Sequence, residues 1–261
     1  MTPSDASLAH VLERTVTIRA TRETVFRFFT ESALFAAWWG KGSAIDPRPG
    51  GALRIVYPDA SVASGTVLAI EPPVRVEFSY GYESAAAGLA PGASHVTVTL
   101  EEAAGGTRVR LRHALPSAAL RDHHVQGWRF QLALFANAAA RVQHEGLERS
   151  VDAFLALWGQ TDEAAREAVL ARVTHADVVF RDAYSATSGR EDLAAHLRAA
   201  VAFMPGVTLA REGAVLHCQG TVLADWIARA ADGTPRGRGR NVFELAPDGR
   251  ITSVTGFWLP A

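Results

Sequence analysis

Cysteine is all but missing from this chain. Cys218 is the only one in 261 residues, which excludes an internal disulfide and a cysteine-based zinc site. Such usage suits a reducing cytoplasm, where we expect the protein to reside. An excess of charge is missing too, since 26 basic and 27 acidic side chains leave a formal net charge of -1. Binding to nucleic acid or to an anionic membrane normally needs a basic patch. Neither is therefore expected as a partner, and a neutral or weakly charged small molecule fits better. Residues Met1 to His10 lack a basic region followed by an apolar run, and no apolar stretch reaches the ~18 residues needed to span a bilayer. We expect a soluble, unexported protein with no cofactor. A histidine metal pair is also missing, because adjacent His123 and His124 project about 100° apart on a helix and are not an i, i+4 pair.

The length suffices for two domains, since single cores commonly hold about 100 to 200 residues. Two successive patterns of elements meet near Gly146. In the first, Thr15 to Ala20 alternates as a strand, and Arg22 to Thr30 places Val25, Phe26, Phe28 and Phe29 at helical spacing. A second short helix ends at Trp38-Trp39-Gly40. Strands are expected at 53–57, 64–70, 74–80, 95–100 and 107–112, separated by Pro49-Gly50-Gly51, Pro72-Pro73 and Gly105-Gly106. From Ser117 to His144 glycine and proline are scarce, and Trp128, Leu132, Phe135, Ala139 and Val142 recur at steps of three or four. That spacing predicts one long helix laying an apolar stripe on a sheet.

Trp38-Trp39-Gly40, the Asp46 to Gly51 stretch, Gly65 to Pro73, Gly106-Thr107 and His124-Gln126-Gly127-Trp128 occur in an order and spacing that resembles the START-like (SRPBCC) superfamily. Within it, the homologues of the heat-shock-ATPase activator are the most similar branch. The resemblance implies a helix-grip fold over residues 15–144, with an amino-terminal extension at 1–14. It also implies a cavity between helix and sheet that takes a small apolar ligand. Trp38, Trp39, Phe78, Tyr80 and Trp128 are the candidate ligand-binding residues. The aromatics fit either plain core or pocket wall. A chaperone is the alternative partner that this branch suggests, although nothing else in the sequence supports it. Asp46 and the Gly50-Gly51 pair read as a structural turn. His123 and His124 read as solvated helix positions, with His124 as a second choice for the cavity mouth.

The second pattern opens with a helix at 148–158 and a second at 162–172 capped by Thr161. An extended segment from His175 ends in Asp182, and a third helix opens at Gly189-Arg190 and carries His196. Three long strands follow at 221–230, 236–245 and 251–259, joined by Asp232-Gly233 and Asp248-Gly249. This part, residues 148–261, resembles the SnoaL-like branch of the nuclear-transport-factor-like superfamily, which includes ketosteroid isomerases and polyketide cyclases. The whole chain is thus expected to be α+β, a helix-grip domain followed by a cone-shaped α+β domain.

The isomerase resemblance implies Asp182 as general base, Asn241 as a hydrogen-bond donor in place of a protonated aspartate, and Trp258 as a pocket aromatic. Phe154 stands where the isomerases place a tyrosine donor, so that half of the oxyanion hole is missing. Strand parity puts Trp226 on the pocket side. His196 is a further candidate base, and the alternative reading of Asp182 is a turn cap. His217 and Cys218 are expected to start a strand. Arg236, Arg238 and Arg240 share one strand face, which reads as solvated. Three functions follow from these patterns: binding of small apolar molecules, proton-transfer chemistry of the isomerase or cyclase type at Asp182, and a chaperone-activator-like interaction.

Overall fold

The computed structural model describes residues 8–260. They divide into two compact units at Val142/Gln143.

The first unit opens with β1 (His10–Ile18), α1 (Arg22–Arg27) and α2 (Ser32–Trp39). β1 begins five residues ahead of the expected Thr15. Of the expected extension at 1–14, residues 1–7 lie outside the described residues, while His10 to Arg14 pair with Leu115 to Leu111 as regular strand. Leu12 is buried in the core between half-buried Val11 and exposed Glu13, which fixes the inward face of this segment. Thr21 caps α1 through its hydroxyl, which accepts from Thr24 N. Gly40 ends α2 at φ +144°, where a Cβ would collide with Val56 O.

A meander follows: β2 (Ala44–Ile45), β3 (Ala52–Val56), β4 (Val62–Glu71), β5 (Arg75–Tyr82), β6 (Ser94–Ala103) and β7 (Gly106–Leu115). The seven strands lie in the order β1-β7-β6-β5-β4-β3-β2. All neighbours are antiparallel. The Asp46 to Gly51 turn is structural as expected, but Asp46 bonds the Arg48 side chain rather than backbone N–H groups.

α3 (Ala118–Gln143) is the long helix, and it buries Trp128, Leu132, Phe135 and Ala139 at the predicted three-to-four spacing. Phe135 meets Phe28 and Phe29 edge-on at ring-centroid distances of 5.5 and 5.4 Å and stacks on Trp38 at 4.6 Å. α3 therefore clamps the two short helices as well as the sheet.

The second unit carries α4 (Glu148–Ala156), α5 (Glu163–Val173) and α6 (Arg190–Phe203) against a six-stranded sheet. Val151, Phe154 and Leu155 of α4 sit at i, i+3 and i+4 and are all buried. α5 is capped by Asp162, whose carboxylate accepts from Ala165 N at 3.0 Å, not by Thr161. The strands are β8 (Thr174–Arg181), β9 (Ala186–Ser188), β10 (Thr208–Cys218), β11 (Thr221–Arg229), β12 (Pro235–Leu245) and β13 (Ile251–Trp258). Their order is β10-β11-β12-β13-β8-β9.

Three features differ from expectation. β9 and the eleven-residue β10 are additional strands. His217 and Cys218 consequently end a strand rather than begin one. β13 and β8 pair in parallel, so the sheet is mixed. β10 escapes sequence reading because a bulge between Glu212 and Leu216 breaks its alternation.

Candidate functional site

The inward parity of β5 runs Phe78, Tyr80, Tyr82, and at β5 the α3 stripe faces the sheet through His124, Trp128 and Gln131. Between them lies a cavity of about 210 Å³. Tyr57, Tyr80 and Tyr82 form one wall, Trp39 and Trp128 another, and His124, Gly127 and Gln131 line it from the helix. Pro58, Phe130 and Leu134 complete the lining. Phe130 is 63% and Leu134 39% exposed, so the cavity meets solvent at their side.

Of the five residues expected to line this cavity, Trp39, Tyr80 and Trp128 do so. Trp38 and Phe78 instead belong to the core. Trp38 lies between Trp39, at 4.2 Å, and Phe135, while Phe78 is buried deeper along β5. Trp38 is anchored further by Gln131, whose Nε2 donates to the Trp38 carbonyl.

A buried polar chain lies behind the aromatic wall. Trp128 Nε1 donates to His113 Nδ1 at 2.9 Å. His113 Nε2 lies 2.8 Å from Ser94 Oγ, and Ser94 Oγ donates to Tyr80 O at 2.8 Å. The single Ser94 hydrogen goes to the carbonyl, so His113 Nε2 must carry the proton given to Ser94, and Nδ1 is the acceptor for the indole. Burial, with the neighbouring His124 and His95 adding to it, pushes the His113 pKa down to about 3. The chain is therefore neutral and has one direction. Trp128 turns its N–H away from the cavity and presents its ring to it.

His124 is buried, contrary to the solvated reading, whereas His123 is exposed as expected. The His124 ring packs on Tyr80, Tyr82 and His113 at 6.0, 5.9 and 5.1 Å, and its Nδ1 donates to Leu120 O at 2.7 Å. Burial also holds its pKa below the ordinary value. Tyr57 and Tyr80 share a hydroxyl–hydroxyl bond of 2.6 Å, and burial raises both phenol pKa values. No lining side chain is Lys, Arg, Asp or Glu, so the wall is uncharged at neutral pH.

In the second unit, Asp182, Trp226, Asn241 and Trp258 do come together. Asn241 and Asp182 flank Gly256, where an added Cβ would stand 3.1 Å from Asn241 Oδ1 and 3.2 Å from the Asp182 Cβ. Trp226 Nε1 donates to Asn241 Oδ1 at 2.9 Å, and its ring meets Trp258 edge-on at 4.9 Å. The Trp226 ring is buried against Gly239, whose missing Cβ makes room for it. Asn241 Oδ1 thus serves as acceptor to a buried ring.

Asp182 is a turn cap. Its Oδ1 accepts from Tyr184 N at 2.8 Å and Ser185 N at 2.9 Å, and its Oδ2 lies 3.3 Å from Trp258 Nε1. Replacing a side chain that holds two backbone donors usually costs about 1–2 kcal/mol. Asp182→Ala should lower the stability of the second domain by that amount, read from its denaturant midpoint; an unchanged midpoint would remove the capping role.

His196 stacks on Phe180 at 5.5 Å and is partly buried. Phe154 packs on Phe243 and Trp158 at 5.6 and 5.2 Å, deep in the core. Arg236, Arg238 and Arg240 are exposed, as expected of a solvated face. Arg238 pairs with Glu212 at 3.0 Å and Arg240 with Asp225 at 2.5 Å.

His113, Ser94, Tyr57 and Tyr82 are members of the first site that the sequence reading passed over. Tyr82 was within reach, because it shares the strand parity of Tyr80. His113 lies one residue past the expected end of its strand at Arg112.

Comparison with known proteins agrees with this architecture. Residues 19–140 match the family model described as Activator of Hsp90 ATPase homolog 1-like protein, and residues 147–254 match the SnoaL-like domain. No curated protein matches the chain. Among solved structures, a SnoaL-like family protein from Agrobacterium tumefaciens is 24% identical, with 46% of this chain and 99% of that one covered and a TM-score of 0.42. Protein MLL2253 from Mesorhizobium loti is 20% identical over 51% of this chain and 98% of its own, with a TM-score of 0.46. The Aha1 dimer from Colwellia psychrerythraea is 16% identical over 47% and 90%, with a TM-score of 0.40. The two family matches support a ligand-binding protein of two domains. Among the described residues no helix is long and apolar enough to cross a membrane. The chain consists of an Activator of Hsp90 ATPase homolog 1-like domain followed by a SnoaL-like domain.

Proposed function

We propose that the first domain binds a small, neutral, largely aromatic molecule in its helix-grip cavity. The observation that carries this reading is the cavity wall: five aromatic side chains from Trp39 to Trp128, with no charged group among its lining residues. Transferring an ion into such a wall costs several kcal/mol unless a partner meets it. A neutral ring loses little and gains face and edge contacts. The volume, about 210 Å³, is somewhat larger than the ~150 Å³ that suffices for benzene in an engineered apolar cavity. One ring or two fused rings fit, and a four-ring steroid does not.

Proton-transfer chemistry at Asp182 is the weaker reading. Both of its oxygens already accept hydrogen bonds, and the Trp226 ring, bonded to Asn241 Oδ1, is buried beside it. The chaperone alternative rests on the family match alone.

The test is selectivity by charge on the intact protein. Naphthalene should bind at least tenfold more tightly than 1-naphthoate, which differs in carrying a carboxylate. Leu134→Glu, at the partly exposed rim, should weaken naphthalene at least fivefold while unfolding within about 0.5 kcal/mol of the parent. Equal affinity for the naphthoate anion would overturn the reading.

A further inference from the structure

We infer that the ligand of this cavity is a hydroxylated aromatic, a phenol or naphthol, whose O–H donates to His124 Nε2. The inference rests on the reading above that the cavity binds neutral aromatics, and it names the polar group they carry.

Hydrogen-bond accounting leads there. His124 Nδ1 donates to Leu120 O, and burial disfavours the doubly protonated ring. The tautomer is thereby fixed, and Nε2 is a bare acceptor. It is buried and has no partner among the described residues. A second lining residue, Trp39, carries the complementary orphan: its Nε1–H is a buried donor that likewise finds no acceptor. An unmade hydrogen bond of this kind usually costs about 1–3 kcal/mol, and of the buried side-chain atoms left so among the described residues, His124 Nε2 and Trp39 Nε1 are the two on residues that line this cavity.

An acceptor and a donor lining one apolar cavity call for a group that can both give and take a hydrogen bond. A hydroxyl is the smallest that does so without charge. A ketone, a quinone or an ether can only accept, and would leave His124 unsatisfied. A carboxylate would bring charge against neutral phenols. Trp128 cannot supply the missing partner, because its N–H is committed to His113. The other walls then read the ring while His124 reads the hydroxyl. His124 lines the cavity while its Nε2 is closed to solvent, so the ligand reaches that atom by a side-chain adjustment of the kind common on binding.

Isothermal titration calorimetry of the full chain at pH 7 with 2-naphthol, 2-methoxynaphthalene and naphthalene separates the possibilities. These share the two-ring body and differ in whether they donate, only accept, or do neither. The expected result is 2-naphthol at least tenfold tighter than either of the others. His124→Phe should abolish the preference, so that 2-naphthol and naphthalene bind the variant within twofold of each other.

Should all three bind alike, the hydroxyl is not read and the inference falls, while the neutral-aromatic cavity stands. Should 2-methoxynaphthalene equal 2-naphthol, an acceptor is being recognised and His124 is not the reader, which also overturns it. Binding of none of them would remove both. The comparison among the three compounds needs no variant, so it decides the matter even if His124→Phe does not fold.

Discussion

Trp128→Ala is expected to cost the first domain about 3–5 kcal/mol, the usual price of emptying a large aromatic site in a core. Two losses combine here. The buried indole leaves space beside Trp39 and the helix, and His113 Nδ1 is left as a buried acceptor without its donor. Trp128→Phe separates them, because it keeps most of the packing and removes only the N–H. Its expected cost is about 1–3 kcal/mol. Chemical denaturation of the two variants side by side measures the difference. If Phe is as stable as Trp, the polar chain behind the wall contributes nothing and the tautomer argument loses its energetic basis.

Acid should destabilise this same domain by about 3 kcal/mol between pH 7 and pH 4 through His113 alone. The sign follows from the depressed pKa. The folded protein holds His113 neutral down to about pH 3, while in the unfolded chain it takes up a proton near its ordinary value of about 6.5. Between those limits the unfolded state binds more protons, so stability is complete above pH 6.5 and falls as the pH is lowered toward 3. His124, whose pKa is also lowered by burial, adds a change of the same sign. The check is the slope of unfolding free energy against pH in the parent and in His113→Gln, which cannot titrate. The variant should show a clearly flatter slope from pH 6.5 to 4, and identical slopes would mean that His113 is not held neutral by the fold. Carboxylates that titrate in this range are common to both proteins and cancel in the comparison.

Much of the first domain was open to reading because its signals were strong and local. The α3 stripe, the Trp-Trp-Gly stop of α2 and the glycine and proline breaks between strands each set an element within a few residues. The cavity was legible to the extent that strand and helix periodicity identify an inward face, which is how Tyr80 and Trp128 were found. Periodicity does not tell depth along that face. Phe78 and Tyr80 share a parity on β5, yet one is core and the other is wall. Nor does it reveal that a histidine on a polar-looking helix segment is buried; His124 follows Asp122 and His123, and contacts from other elements, with Tyr80 and Tyr82 of β5 and His113 of β7, draw it inward. In the second domain Asp182, Asn241 and Trp258 were grouped through the resemblance and Trp226 through strand parity, and the four do lie together. Their hydrogen bonds could not be read from spacing, and those bonds turn a presumptive base into a turn cap.

The place of β13 has a consequence for how the second domain is made. This strand is the last of the domain in chain order, yet it lies in the middle of the sheet, joined to β12 on one side and in parallel to β8 on the other. The early hairpin of β8 and β9 and the later ribbon of β10 to β12 share no edge until it arrives. On a ribosome, the two fragments must therefore wait as separate, unjoined sheets with bare strand edges, and nothing short of the last strand can close the domain.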